Sequence, residues 1–297
     1  MSTRRWLLLI AAALLATAGF FAVLFVSWGG GADVDLARAP FGGRGRRVGL
    51  VRVVGPIVDS EEVVEEIELI GERSGVEGLV VRLDSGGGGV AASQEIYEAV
   101  RRVSDKGVPV VASLGSVAAS GAYYVACAAD TIVANPGTVT GSIGVILSFP
   151  VYYELIRKVG LDWEVVKTGE HKDMGSPTRE VTDSDRILLQ SLLDDAHEQF
   201  VEAVAEGRGL SPSAVRTLAD GRVFTGRQAK DLGLVDVLGD QKRAIRVAAD
   251  MAGIEGEPVL VTRRERRPWL LEALAGAARG LLREPSANFR LEYRALR

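Results

Sequence analysis

Residues 78–106 read GLVVRLDSGGGGVAASQEIYEAVRRVSDK. The first six, Gly78–Leu83, are apolar but for Arg82 and rich in β-branched side chains, which predicts a strand. Four consecutive glycines, Gly86–Gly89, then let the backbone turn sharply and expose its N–H groups. Val90–Lys106 carries helical periodicity, and Lys106-Gly107 supplies a C-cap. Outward from this unit the alternation continues. Val48–Val54, Pro109–Leu114 and Thr131–Ala134 read as strands, Glu61–Arg73 as a helix and Asp162–Lys167 as a further strand. Val181–Glu206 predicts a long helix capped by Thr182, with Ile187, Leu188, Leu192, Phe200 and Val204 along its apolar side. Strands alternating with helices make the fold class α/β, and with no internal repeat residues 47–255 are expected to form one domain.

The 297-residue chain is 47% hydrophobic and 25% charged, with a net charge of −4 and a pI of about 5.5. So many apolar residues with so little net charge exclude intrinsic disorder. The acidic balance gives no global attraction to nucleic acid, and none is expected as a partner. A lone cysteine, Cys127, makes neither an internal disulfide nor a zinc site, and no metal or cofactor is implied.

Both ends differ from the middle. Trp6–Trp28 runs for 23 residues without a charge, behind Arg4 and Arg5. At about 1.5 Å per residue that spans a hydrocarbon core of roughly 30 Å. The run is longer than a signal-peptide core and no clear small-x-small site follows, so residues 1–28 read as a cytoplasmic stub and transmembrane anchor. That reading predicts a single-pass protein of the cell (inner) membrane with its main domain outside. Residues 29–46 read as a flexible linker and 256–297 as a basic tail, with nine arginines against four glutamates over 263–297. Leu270, Leu274, Ala277 and Leu281 share a helical face there, which suits an anionic membrane surface, a neighbouring subunit or a solvated end.

Ser120 stands in GSVAASGAYY (residues 115–124), after the apolar VPVVASL and before an apolar helix. A serine at a strand-to-helix turn places its hydroxyl and the next N–H at the positive end of the helix, as a nucleophile or an ordinary cap. Ser116 is the competing hydroxyl. A serine nucleophile needs a base. Of the two histidines, His197 falls inside the long helix, where packing or solvation is expected. The turn-rich TGEHKDMGSP (residues 168–177) offers His171 and Lys172. Lysine serves as a base once burial lowers its pKa by about 3 units.

In combination these stretches resemble the signal peptide peptidase A (protease IV) family of Ser-Lys serine peptidases, in its half-length form. The resemblance rests on the glycine turn after Arg82-Leu83-Asp84-Ser85, on Ala119-Ser120-Gly121 and on NPGTVTGSIGV (residues 135–145). It continues through Lys172-Asp173 with Ser176-Pro177, and through Gly226-Arg227-Gln228-Ala229 into Gly233-Leu234-Val235-Asp236. The motifs run in order over 48–250, and 52 residues separate Ser120 from Lys172. The resemblance implies a Clp-protease/crotonase-like fold, with Ser120 as nucleophile and Lys172 as general base. Ser142 would orient the lysine, and the N–H groups of Gly87 and Gly121 would form the oxyanion hole; His171 takes no catalytic part. It also implies a ring homo-oligomer, an octamer, with the dyad completed between protomers, although the spacing suits a dyad within one chain equally. The implied substrates are cleaved signal peptides and other apolar peptides.

One residue departs from the pattern. The family has Asp-Ser-Pro-Gly-Gly where this chain has Gly86, and without the fixed φ of proline the turn is expected to be looser. A crotonase-type acyl-CoA enzyme would share the glycine turn and the Gly-Leu-Val-Asp ending, but has no use for Ser120 paired with Lys172. An inactive scaffold of the same fold would need none of Ser120, Lys172 and Ser142.

Overall fold

Strands covered on both faces require near-continuous apolar runs, and three of these lie together at the centre of the sheet. The computed structural model describes residues 46–263 and the strand 292–294. β1 (Arg47–Val54), β2 (Val76–Ser85) and, after the short β3 (Gly87–Gly89), β4 (Val110–Ala119) include the apolar stretches expected as strands. β2 lies between β1 and β4, parallel to both.

β4 changes partner half-way. Val111–Leu114 pairs with β5 (Thr131–Ala134), whereas Val117–Ala119 pairs with β6 (Val139–Gly141). A register shift against β2 marks the change, so that Ser85 lies opposite Ala118. Asp84 fills the bend: a Cβ on Gly115 would meet its Cγ at 2.5 Å, and the Val117 N–H donates to its Oδ1 at 3.2 Å. The Thr138 and Thr140 hydroxyls donate to the carbonyls of Gly115 and Ala118 at 2.7 and 2.6 Å. With these groups satisfied, the strand expected to end at Leu114 continues to Ala119. An irregularity of this kind re-aims the end of a strand, and here it delivers Ser120.

Further strands extend the sheet: β7 (Val223–Thr225) antiparallel on β6, β8 (Val237–Leu238) on β5 and β9 (Val259–Val261) on β1. α8 (Gln241–Met251) covers one face, packing Ala244, Ala248 and Ala249 against Val48, Leu50, Val80, Val111 and Val133. α1 (Glu61–Gly71) closes on the other face at Gly49, where a Cβ would lie 2.4 Å from Ile70. α2 (Val90–Asp105) ends at Lys106, with Gly107 in the left-handed conformation, as the C-cap signal predicts. Tyr97 of α2, Tyr124 of α3 (Gly121–Ala126) and Phe200 of α5 (Asp183–Arg208) stack edge-to-face with 5.1 Å between successive rings.

Thr182 caps α5 as expected, in a capping box with Asp185. The apolar side of α5 is not continuous, however. Phe200 and Val204 are buried, but Leu188 and Leu192 are exposed and Ile187 is 70% exposed. The same exposure runs through residues 145–181 around α4 (Tyr153–Lys158), where Trp163 is 67% and Val166 94% exposed. The strand expected at Asp162–Lys167 does not form, since nothing in the described fold pairs with that backbone. α6 (Pro212–Arg216) and α7 (Gly226–Asp231) complete the helices.

The expected membrane localisation is corrected here. Among the described residues no helix is long and apolar enough to cross a membrane; α5 has the length but carries charges throughout. The apolar run Trp6–Trp28 and the basic stretch 264–291 lie outside the described residues.

Candidate active site

The ladder between strands sets the site. Ser85 opposite Ala118 brings the glycine turn to one side of the end of β4, and Gly141 opposite Ala119 brings β6 to the other. Between them, Ser120 donates its N–H to the Gly141 carbonyl at 2.8 Å and opens α3. Its backbone takes φ 56°, ψ −122°, a region that L residues avoid. Among the described residues only one other non-glycine residue has positive φ, and that is Ser142, at 51°. The two strained positions are thus the two serines to which the resemblance gives catalytic roles. Holding a residue so costs about 1–3 kcal/mol, and such strain concentrates at functional sites.

Ser120 is fully buried, and its Oγ has no hydrogen-bond partner among the described residues. A buried hydroxyl left unpaired costs about 1–3 kcal/mol. Ser142, also buried, is fixed by its N–H on the Arg222 carbonyl at 2.8 Å. Gly121, as first residue of α3, carries an N–H that the helix itself cannot use. Gly87 has φ 94°, and its N–H donates to Ser85 Oγ at 3.1 Å. No signal in the sequence announced this contact from Ser85.

The looser turn expected from Gly86 is offset from below. The Ile57 N–H donates to the Gly87 carbonyl at 3.0 Å, and the Gly89 N–H to the Ile57 carbonyl at 2.8 Å. The other edge of β3 receives β10 (Glu292–Arg294), antiparallel, with Tyr293 opposite Gly88 and Arg294 opposite Gly87. That edge therefore accepts an extended backbone running toward the glycine turn.

Lys172 is exposed on the turn-rich segment, with its N–H on the Gly169 carbonyl at 3.2 Å. Because Ser120 Oγ has no partner, the single chain does not join the two. His171 turns to Asp185, with Nδ1 3.5 Å from Oδ1, and His197 is half-buried on α5. Ser116 lies exposed within the bend of β4, away from any helix start. Cys127 is buried, and burial pushes its thiol up to about 12, so no thiolate nucleophile exists at neutral pH.

Residues 102–255 match peptidase family S49. The chain is 41% identical over 233 residues to a candidate protease of Synechocystis sp., covering 78% of this chain and 83% of that protein. The chain belongs to peptidase family S49. Other family members include a candidate signal peptide peptidase SppA of Enterococcus faecium, 35% identical over 62% of this chain and 54% of that protein. The chloroplastic serine protease SPPA of Arabidopsis thaliana is 32% identical over 76% of this chain and 33% of that protein. Within family S49 the chain is a peptidase of the signal peptide peptidase A and protease 4 kind, on a mixed α/β sheet.

Proposed function

We propose that the chain is a serine endopeptidase of the Clp-protease/crotonase-like fold, using a Ser120–Lys172 dyad on cleaved signal peptides and similar apolar peptides. The observation that carries this is Ser120: strained, buried, unpaired at Oγ and flanked by the Gly87 turn and by Ser142. Neutral Lys172 Nζ takes the Ser120 proton as Oγ attacks the peptide carbonyl carbon. The N–H groups of Gly87 and Gly121 receive the oxyanion, Gly87 exchanging its bond to Ser85 Oγ for the substrate oxygen. Each such donor contributes about 3–4 kcal/mol at the barrier. As the C–N bond breaks, protonated Lys172 passes its proton to the leaving amine, and water then frees the acyl group by the same route. The Ser142 hydroxyl orients the amine.

Two features support a base supplied by a second copy in a ring. Ser120 Oγ is unpaired among the described residues of its own chain, and Lys172 rides on a segment whose Tyr152, Leu155, Leu161 and Trp163 are exposed. Apolar exposure on that scale marks an interface. The test mixes Ser120→Ala with Lys172→Ala after subunit exchange, each variant being inactive alone. Recovered peptide hydrolysis is expected. No recovery with exchange verified would place the dyad within one chain, and full activity in either single variant would overturn the mechanism.

An extended peptide would bind as an antiparallel strand on the open edge of β3, where β10 now pairs. Deleting residues 292–297 is therefore expected to lower KM about two- to tenfold with kcat unchanged, the edge no longer being shared. Steady-state kinetics on an apolar peptide checks this, and an unchanged KM would separate β10 from the substrate path.

A further inference from the structure

Lys172 is exposed and its side chain makes no ion pair or hydrogen bond among the described residues, yet the residues on both sides of it are fastened. On one side, His171 Nδ1 lies 3.5 Å from Asp185 Oδ1. On the other, Asp173 Oδ1 is 2.6 Å from Lys167 Nζ and 3.0 Å from Arg179 Nη2. Arg179 links the two anchors, since its Nη1 donates to Asp185 Oδ2 at 2.5 Å and to the Glu180 carbonyl at 2.8 Å. Asp185 is in turn fixed in the first turn of α5, its Oδ2 accepting the Thr182 N–H at 3.1 Å.

We infer that Arg179 is a positioning residue for the general base: it clamps the Lys172 turn to the start of α5 and so presents a free lysine in a fixed direction. The inference rests on the Ser120–Lys172 reading above. No helix or strand includes residues 159–182, so its shape rests on turn bonds at Lys172, Met174 and Ser176, on contacts such as the Tyr152 N–H to the Pro177 carbonyl and Lys167 Nζ to the Glu170 carbonyl, and on this charge cluster. The Asp185 side chain is only 2% exposed. Replacing a buried ion pair by apolar groups commonly leaves a fold as stable or more so, whereas a fixed register is what such a pair does supply. A base must also be held in a reactive geometry, because a displacement of about 1 Å can cost on the order of 100-fold in rate.

Asp173 is held at about 2 by its hydrogen bonds to Arg179 and then to Lys167, and Asp185 is lowered as well, chiefly by Arg179. The clamp therefore stays ionised across the neutral range. Besides these carboxylates and Lys167, the imidazole of His171 faces the cluster.

The test uses the full chain with Arg179→Gln, Arg179→Lys and Asp173→Asn, and Lys172→Ala in parallel, on a fluorogenic apolar peptide. In Arg179→Gln, kcat is expected to fall about ten- to hundredfold with KM within about twofold of the parent. Arg179→Lys should recover part of kcat. Asp173→Asn leaves the Arg179–Asp185 pair in place and so covers the case where Arg179→Gln does not fold; it should show the same fall in kcat at little-changed KM. Parental kcat in a folded variant, or a loss of kcat that Arg179→Lys does nothing to recover, would overturn the inference. If Lys172→Ala is inactive while both clamp variants match the parent, only the positioning role fails. Should Lys172→Ala keep full activity, the dyad fails and the clamp role with it.

Discussion

Ser120→Gly is expected to hydrolyse no peptide and to unfold at a higher temperature than the parent. Activity should fall at least about 1,000-fold, because loss of the proposed nucleophile leaves only binding and oxyanion stabilisation. Stability should move the other way for two reasons read from the site. At φ 56° the serine stores about 1–3 kcal/mol of backbone strain, which glycine does not feel. Its fully buried Oγ has no partner, and removing an unsatisfied hydroxyl relieves about 1–3 kcal/mol more. Against these stand the greater freedom of glycine in the unfolded chain, about 0.5–1 kcal/mol, and the small void left behind. Before the void is counted these leave a net gain of about 1–5 kcal/mol, so the variant is expected to be the more stable protein. Ser120→Ala should lose the same activity with a smaller gain, since a Cβ at that φ remains strained. Chemical unfolding of all three proteins separates the terms, and a Ser120→Gly protein less stable than the parent would show that no strain is stored there.

That opposition between stability and chemistry also explains which parts of the molecule the sequence announces. β1, β2 and β5 hold near-continuous apolar runs, broken by Arg52 in β1 and Arg82 in β2, whose largely buried centres leave little choice of structure. Gly107 and Thr182 end and begin their helices by local chemistry alone. Ser120, the glycine turn and Ser142 were legible only as an ordered set of motifs, because each short stretch alone resembles a cap or a loop. The end of β4 was not legible. Its five residues beyond Leu114 are small, and what makes them a strand is Asp84, Thr138 and Thr140, which come from elsewhere in the chain. Asp162–Lys167 failed for the converse reason. Alternating apolar residues promise a strand only when a neighbouring backbone is present to pair, and within the described fold none is. The exposed Ile187, Leu188 and Leu192 obey the same rule on α5: periodicity marks a face but not what covers it. The Arg179 clamp carried no sequence signal, since a charge in a polar turn is ordinarily solvated.

Gly88→Ala should remove most activity without touching a reacting group. A Cβ at residue 88 would stand 1.9 Å from the Ile57 carbonyl oxygen and 2.6 Å from its carbon, both backbone atoms that no rotamer change can move. The two hydrogen bonds that tie Gly87 and Gly89 to Ile57 lie on either side of that contact. Either β3 lifts away from Ile57 or the Gly55–Ile57 segment is pushed out, and in both cases the Gly87 N–H leaves its place. Loss of one oxyanion donor costs about 100- to 1,000-fold in kcat, while overpacking of this kind costs about 1–3 kcal/mol of stability. Gly86→Ala is the internal control. Its φ is not positive, and a Cβ there meets nothing within 4 Å, so the turn should keep its shape and kcat should stay within about twofold of the parent. The same openness is why the missing proline leaves the turn intact: its shape is set by Ile57 beneath it rather than by residue 86. Measuring kcat, KM and melting temperature for both variants decides the matter. A Gly88→Ala protein that folds and keeps parental kcat would show that the oxyanion is not received at Gly87, leaving Gly121 as the single backbone donor assigned to that role.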